Sequence, residues 1–304
     1  MISAVQVKEL REKTGAGMMD CKKALSENEG DFEKAIDWLR KKGLSAAAKK
    51  AGRVTAEGLV GILKKDNFAS IIEVNSETDF VAKNDHFQNL VKEISFMSFH
   101  VDNLDSLENK KNESGKTVKD IIIDAVASIG ENITLRRIDS VTISNGVIGS
   151  YIHNEVCPNL GRIGVLVALE SDAQKDSLAE LAKQICMHIA ATRPLGLDIS
   201  NIDPEILERE KSIAREQALA SGKAENVVEK MIEGRIRKFY EETVLLEQIF
   251  VIDGKTKIKD LLEIESKKFG SKVSISKFIR FEVGEGIEVE KSDFAADVAS
   301  MIGA

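Results

Sequence analysis

The chain has 304 residues, of which 43% are hydrophobic and 31% charged, with three cysteines and a formal net charge of −7. This length and composition exclude a disordered or disulfide-stapled chain and are typical of a globular protein of two or three compact units. The acidic balance argues against a free-standing nucleic-acid binder, and no apolar run approaches the roughly eighteen residues of a membrane span. We therefore expect a cytoplasmic protein without direct contact to nucleic acid or membrane.

Three short helices are predicted before residue 43. Ser3 and Gln6 have the spacing of a capping box at the start of the first helix, and a glycine-bearing turn at 14–17 ends it. The second helix fits Met18 to about Glu27, and the third fits Asp31 to Lys42. This pattern indicates a compact three-helix domain of the ubiquitin-associated type.

Met18 and Met19 follow the glycine turn directly. Methionine fills irregular gaps in a core, but at an exposed turn it also forms an adaptable contact surface, so both interpretations stay open. Residues 44–53 are alanine-rich and basic, which predicts a short helical linker. Residues 1–53 carry twelve basic and eight acidic side chains, a net charge of +4, which leaves −11 for the remainder.

A β-hairpin is predicted next, with strands at Gly58–Leu63 and Phe68–Asn75 and turn residues between them. Apolar residues at helical spacing then predict one helix from about Asp85 to Val101 and another from Thr117 to Ile129. The polar stretch 102–116 separates these two helices.

The turn Thr78-Asp79-Phe80-Val81 lies between the second strand and the following helix. In one interpretation, Thr78 or Asp79 caps that helix and Phe80 anchors the corner in the core. In the other, a loop held between rigid elements presents Asp79 and Phe80 to a partner, and the Phe80 ring is then exposed in the free protein.

The same design recurs further along the chain. Gly58-Leu-Val-Gly61 has a counterpart in Gly146-Val-Ile-Gly149, eighty-eight residues on, and Ile71–Glu77 has one in Val165–Ser171, ninety-four residues on. We assign the difference to a long hairpin loop, 153–160. The repeat predicts two related hairpin-plus-helix subdomains side by side. The second copy lacks the aromatic residue, which favours a functional role for Phe80.

Asp203-Pro204 has the signature of a helix start, and a short connection between two helices predicts an antiparallel helical hairpin that either projects or covers the second subdomain. We expect its helices to be zipped by a set of apolar residues: Ile206, Ile213, Leu219, Val227, Val228, Met231 and Ile236. The remaining predicted elements are a helix at Thr256–Phe269, a strand at Val273–Val283 that completes the second sheet, and a short amphipathic helix carrying Phe294, Val298 and Met301.

No enzymatic constellation is present in the sequence. The four histidines, His86, His100, His153 and His188, lack metal-ligand spacing, and no phosphate-binding or nucleophile motif occurs. We expect no enzyme activity, cofactor or bound metal. His153, in the predicted loop after Tyr151, is kept as a contact candidate.

Four segments resemble bacterial elongation factor Ts, in the family's order and from end to end of the chain. They are LREKTGAGMMDCKKAL at 10–25, TDFVAK at 78–83, GRIGVLV at 161–167 and FIRFEVGEG at 278–286. The loop at 154–160 is longer than the family's usual glycine-rich turn, which bears on the contact role of His153.

The resemblance implies an α+β fold with four parts. These are a ubiquitin-associated-like three-helix domain with its linker at 1–53, a core N-subdomain at 54–139, a core C-subdomain at 140–283 with a protruding helical hairpin inserted at about 203–241, and a C-terminal helical module at 284–304.

The resemblance also implies a guanine-nucleotide exchange factor in translation elongation. Such a protein binds elongation factor Tu with GDP, and its loop matching Thr78, Asp79, Phe80 and Val81 dislodges the partner's Mg²⁺. Met18, Met19 and His153 would be further partner contacts. A homodimer is possible for such a chain. The alternative functions are a scaffold that binds ubiquitin-like partners and an RNA-binding accessory factor.

Overall fold

The computed structural model describes residues 2–220 and 225–288. Within this range the chain has a mixed α+β fold, with eleven α-helices around one curled antiparallel sheet of six strands. Among the described helices, none combines the length and the hydrophobicity that a transmembrane segment requires.

The N-terminal helices are α1 (Ala4–Thr14), α2 (Met18–Glu27) and α3 (Phe32–Lys50). The predicted capping box is confirmed, because the amide of Gln6 donates to Ser3 Oγ at 3.2 Å and the amide of Ser3 donates to Gln6 Oε1 at 2.9 Å. The three helices enclose a small core of their own, formed by Val7, Leu10, Cys21, Ala24, Leu25 and Ala35.

The third helix is longer than predicted. It continues without a break from Phe32 to Lys50, so the helical character predicted for the linker is confirmed through Lys50, whereas its separation from the third helix is wrong. Its second half packs on α7 (Val118–Ile129), where Gly43 is buried against Ile123 and Ala127. Alanine and lysine are strong helix formers, and the packing partner stabilises this extension. The helix therefore joins the N-terminal core to the rest of the chain.

The strands of the sheet are β1 (Glu57–Lys65), β2 (Phe68–Ser76), β3 (Ile133–Thr142), β4 (Val147–Cys157), β5 (Leu160–Glu170) and β6 (Ser274–Glu282). Their order is β3-β2-β1-β5-β4, and β6 also pairs with β5. One edge of β5 is shared, since residues 160–161 pair with β1 and residues 163–170 pair with β6. The two predicted hairpins thus join one continuous sheet, and the expected separate second sheet is wrong.

The described helices of the core cover the sheet in two places. On one half, α5 (Asp85–Met97) and α7 pack against β1, β2 and β3, together with the short helices α4 (Asp79–Ala82) and α6 (Leu104–Asn109). On the other half, α8 (Lys175–Thr192) and α11 (Ile258–Phe269) pack against β4, β5 and β6. The opposite face of all six strands encloses a third core. Because side chains alternate along a strand, both faces of the sheet are buried.

The internal repeat has a structural basis in paired glycines. Gly58 and Gly146 have φ values of 130° and 122°, and a Cβ at either position would collide with the carbonyl oxygen of Val74 or Leu169, respectively. Leu59 pairs with Val74 and Val147 pairs with Leu169, so equivalent residues are eighty-eight apart in the first strands and ninety-five apart in the second. The expected spacing of ninety-four is wrong by one residue, which would place every side chain of the strand on the opposite face.

The expected long loop at 153–160 is also wrong. Strand β4 continues to Cys157 and β5 begins at Leu160, which leaves a two-residue turn in which Asn159 has a φ of 65°. His153 lies inside β4, opposite Ile163. The residues expected to form a loop instead extend the two paired strands of the hairpin. Strand pairing is favoured because it satisfies the backbone hydrogen bonds of these residues.

The helical hairpin consists of α9 (Pro204–Ala220) and α10 (Glu225–Thr243). Its seam is formed by Ala214, Ala218, Val228 and Ile232, with Ile236 beside them. Four of the expected zipper residues are instead exposed, namely Ile206, Leu219, Val227 and Met231. On α9 the contact residues are the small side chains Ala214 and Ala218, which let the two helices approach closely. They are adjacent in sequence to the predicted residues Ile213 and Leu219. Backbone hydrogen bonds from Leu195 to Thr243 and from Leu245 to Gly196 close its base beside two 3₁₀ turns, Ile199–Asn201 and Leu245–Glu247.

The end of β6 is fastened to β2 and β3 through a buried carboxylate, Glu73. Arg136 Nη1 donates to Glu73 Oε1 at 3.0 Å, Arg137 Nε donates to Oε2 at 2.5 Å, and the amide of Gly284 donates to Oε1 at 2.8 Å. A carboxylate that is fully buried needs such partners, because an unpaired buried charge is strongly destabilising. The predicted tail helix at Phe294–Met301 lies outside the described residues.

Candidate functional site

The 78–81 loop consists of Thr78 and the first three residues of the single-turn helix α4. Phe80 is 77% exposed, whereas its neighbours Val81 and Ala82 are buried in the core beneath α5 and α7. The interpretation of Phe80 as a core anchor is therefore wrong, and Val81 has that role instead. The expectation that the Phe80 ring is exposed in the free protein is confirmed. An exposed phenylalanine on a turn that is anchored by buried neighbours offers apolar surface that a partner can cover.

The polar residues of the loop do not cap the next helix. Helix α5 is capped by Asn84, whose Oδ1 accepts from the amides of His86 at 2.8 Å and Phe87 at 3.4 Å. The exposed carboxylate of Asp79 lies 3.8 Å from Lys83 Nζ, and an ion pair of this kind on the surface holds a side chain only weakly. Asp79 thus remains accessible beside Phe80.

Thr78 is held by a residue distant in sequence, Glu131. The amide of Thr78 donates to Glu131 Oε2 at 3.0 Å, and its hydroxyl donates to Oε1 at 2.6 Å. The neighbouring Glu77 accepts at 2.6 Å from the amide of Asn132. These residues were missed from the sequence because nothing local links position 78 to position 131.

The two methionines lie at the first turn of α2, with Met18 53% exposed and Met19 73% exposed. Their core interpretation is wrong, because Cys21, Ala24 and Leu25 fill the core side of this helix. The two side chains therefore form an exposed apolar surface at the start of α2.

His153 lies on an exposed stretch of β4. Its Nδ1 is 3.1 Å from Tyr151 Oη, and the two rings are tilted with centroids 6.1 Å apart. The predicted contact residues are therefore distributed over α2, α4 and β4. This distribution is suited to a broad protein surface rather than to a small-molecule site.

Two titratable side chains of α8, Cys186 and His188, are buried. Among the described residues, no group of three or more histidine, cysteine or acidic side chains could hold a metal ion. The buried His188 accepts from the amide of Val251 at Nδ1 and contacts Gln248 Oε1 at 3.0 Å through Nε2, and burial lowers its pKa. Burial likewise raises the pKa of the Cys186 thiol, so this thiol is inert.

Comparison of the sequence with known proteins identifies its family. The family model described as elongation factor TS matches residues 77–285, which begins at the 78–81 loop and ends at the turn beside Glu73. The elongation factor Ts of Rhodospirillum centenum is 55% identical over 304 residues, covering 99% of both chains. Those of Rickettsia felis and Gluconobacter oxydans are each 53% identical, covering 99% of this chain and 97% and 98% of their own length. Since these relatives are more than half identical over 99% of this chain, the protein belongs to the elongation factor Ts family.

Proposed function

We propose that this chain is a guanine-nucleotide exchange factor that binds elongation factor Tu with GDP and promotes GDP release. The observation that supports this most directly is the exposed Phe80 ring on a one-turn helix whose next two residues are buried. Because its neighbours are already fixed in the free protein, a side chain on this turn can insert into a partner with little further loss of conformational entropy. The chain acts through binding, without covalent chemistry or a cofactor of its own, and we expect it to work in the cytoplasm.

The need for such a factor follows from affinity and rate. A G protein that holds GDP at about nanomolar affinity and associates at about 10⁶ M⁻¹s⁻¹ releases it at roughly 10⁻³ s⁻¹. Protein synthesis adds roughly 5–20 residues per second, so spontaneous release is too slow. An exchange factor must bind the nucleotide-free partner more tightly than the loaded one, and by linkage GDP weakens the exchange factor equally.

The 78–81 loop supplies this differential affinity in our proposal. It enters near the Mg²⁺ site of the partner, where Phe80 displaces elements that hold the ion and Asp79 accepts hydrogen bonds. Burial of the Phe80 ring contributes about 1.5–3 kcal/mol, which corresponds to about a 10- to 200-fold change in rate when it is gained only during exchange. Loss of Mg²⁺ removes a bridge to the β-phosphate and adds to this effect.

Further contacts come from the other exposed candidates, Met18, Met19 and His153. We propose that residues 1–53 form a ubiquitin-associated-like domain that grips the partner, followed by core subdomains at 54–139 and 140–283 and a C-terminal module at 284–304. The separate N-terminal core and the repeated glycine positions support the first three of these units. They do so because a unit that folds together has its own buried cluster.

The test is release of a fluorescent GDP analogue from the cognate elongation factor Tu, with and without this chain. We expect wild-type protein to accelerate release by several orders of magnitude and Phe80→Ala to be at least about tenfold slower. Phe96→Ala is the matched control, because Phe96 is also a phenylalanine, is 73% exposed and lies near the far end of α5. Equal rates for the two variants would refute the role of Phe80.

A further inference from the structure

Two turns of the core grip each other through their carboxylates. The first turn, between β2 and α4, carries Glu77, and the second, between α7 and β3, carries Glu131. Glu131 accepts from the amide and hydroxyl of Thr78 at 3.0 and 2.6 Å, and Glu77 accepts from the amide of Asn132 at 2.6 Å. We call this reciprocal arrangement the Glu77–Glu131 clamp.

The clamp also reaches the end of the N-terminal helices. Arg53, three residues after α3, donates through Nη1 to both oxygens of Glu77 at 3.3 Å, and its carbonyl accepts from Asn132 Nδ2 at 2.9 Å. Three segments that are far apart in sequence therefore meet at one point, directly before the exposed loop.

The position of the clamp fixes the direction of α4. Thr78 is the residue that precedes this helix, with extended backbone angles of φ −126° and ψ 157°. A single helical turn has no stability of its own, so it must be held from outside. Glu131 holds its first residue, and the buried side chains of Val81 and Ala82 hold its end. Phe80, between these two anchors, has its direction set by both.

We propose that Glu131 and Glu77 are positioning residues for nucleotide exchange, which hold the 78–81 loop in the orientation that its partner requires. This inference rests on the proposed function of the loop. Glu131 and Glu77 act through Thr78 and Asn132 and do not touch the partner. Arg53 joins the segment after α3 to the same clamp, through its side chain to Glu77 and through its carbonyl to Asn132.

The physical reason is preorganisation. A hydroxyl that donates to a carboxylate at 2.6 Å makes a charge-assisted hydrogen bond, which is stronger than a neutral one. Without it, the loop samples orientations in which Phe80 misses its target, and a small misplacement reduces a rate strongly. The other contact surfaces are unaffected, so the complex still forms. Loss of the clamp therefore lowers the maximal rate of exchange rather than the affinity.

The experiment compares Glu131→Ala, Glu131→Gln and Thr78→Val in the full chain, with kcat and KM for GDP release measured for each. We expect Glu131→Ala and Thr78→Val to lower kcat about tenfold with KM within about twofold of wild type. Glu131→Gln keeps one acceptor oxygen and should recover part of the rate. The double variant should be no slower than Glu131→Ala alone, because Glu131→Ala already removes the hydroxyl hydrogen bond that Thr78→Val removes.

Amide hydrogen exchange at Thr78 provides an independent readout. Glu131→Ala should accelerate it by removing the acceptor of that amide, whereas the exposed carboxylate variant Glu113→Ala should change neither amide exchange nor kcat. Faster amide exchange with an unchanged kcat would show that the clamp is only structural and would overturn the inference. A raised KM with an unchanged kcat would overturn it as well, since Glu131 would then be a direct contact.

The failure of the proposed function has a different signature. If wild-type protein does not accelerate GDP release, the proposed function is refuted for every variant together. If wild-type protein is active and Glu131→Ala is equally active, only the positioning role is refuted. Amide exchange at Thr78 decides in either case whether the clamp holds the loop.

Discussion

At the scale of single residues, two phenylalanines seven positions apart have opposite environments. Phe80 is 77% exposed, whereas Phe87 is fully buried beneath the sheet. We expect Phe87→Ala to lower the free energy of unfolding by about 3–5 kcal/mol, because it empties a core site. Phe80→Ala should change it by less than about 1 kcal/mol. Urea denaturation of both variants measures this difference, and comparable losses would contradict the exposed position of Phe80.

The cap of α5 gives a second residue-scale prediction. Asn84 accepts two amide hydrogen bonds at the start of this helix, so Asn84→Ala should cost about 1 kcal/mol of stability. Asp79→Ala removes a carboxylate that has no part in the cap and should cost much less. Thermal melts of the two variants distinguish them. A larger loss for Asp79→Ala would restore the interpretation of Asp79 as the cap.

His188 predicts how stability depends on pH. Burial lowers its pKa in the folded protein below the ordinary value of about 6.5. Below about pH 6.5 the unfolded chain therefore binds more protons at this site than the folded chain, and stability falls as the pH decreases toward the folded-state pKa. Urea denaturation at about pH 7.5 and about pH 5.5 measures the loss. His188→Gln should reduce it and the exposed-site variant His86→Gln should not, and an equal loss in all three proteins would refute the assignment.

The sequence was informative about Phe80 for an indirect reason. A one-turn helix has no periodicity from which burial can be inferred, so neither interpretation could be chosen locally. The absence of an aromatic residue from the second copy of the repeat favoured exposure, and the structure agrees. Glu131 could not be found this way, because its partner Thr78 is fifty-three residues away and only the folded sheet brings them together.

At the scale of elements, most helices and both hairpins were predictable from apolar spacing and turn residues, but β3 was not. Its sequence carries Arg136 and Arg137 in the middle, which suggests a polar connection. In the fold these two side chains form ion pairs with the buried Glu73, so their charges are neutralised within the protein. A strand whose polar residues are paired within the protein has no simple alternation to detect.

Two glycines give a matched prediction about packing between elements. A Cβ at Gly43 of α3 would lie 3.5–3.6 Å from Ile123 and Ala127, which is ordinary contact, so Gly43→Ala should raise stability by about 0.5–1 kcal/mol through helix propensity. At Gly149 of β4 a Cβ would lie 2.6 Å from the Ala182 Cβ of α8, so Gly149→Ala should cost about 1–3 kcal/mol. Chemical denaturation of both variants tests the close approach of helix and strand. Equal effects would contradict it.

At the scale of the whole molecule, the N-terminal helices have a core separate from the sheet, but α3 and Arg53 connect them to it. We expect deletion of residues 1–53 to leave a core that unfolds cooperatively, with greatly weakened exchange. Circular dichroism and GDP release measure the two properties. The full-length variant Arg53→Ala is the control, because it removes the side-chain contact with Glu77 and keeps the helices. A truncated protein with unchanged exchange would refute the role of this unit.

The buried Glu73 has a consequence for the order in which the protein is made. Arg137 follows Glu73 by 64 residues, but Gly284 follows it by 211, so the last donor of this carboxylate is synthesised near the end of the chain. At roughly 5–20 residues per second, about 7–30 seconds separate the two on the ribosome. During that interval the apolar face that β6 later covers is open to water. A nascent chain of this family is therefore most vulnerable to aggregation after its first hairpin has folded and before its last strand emerges.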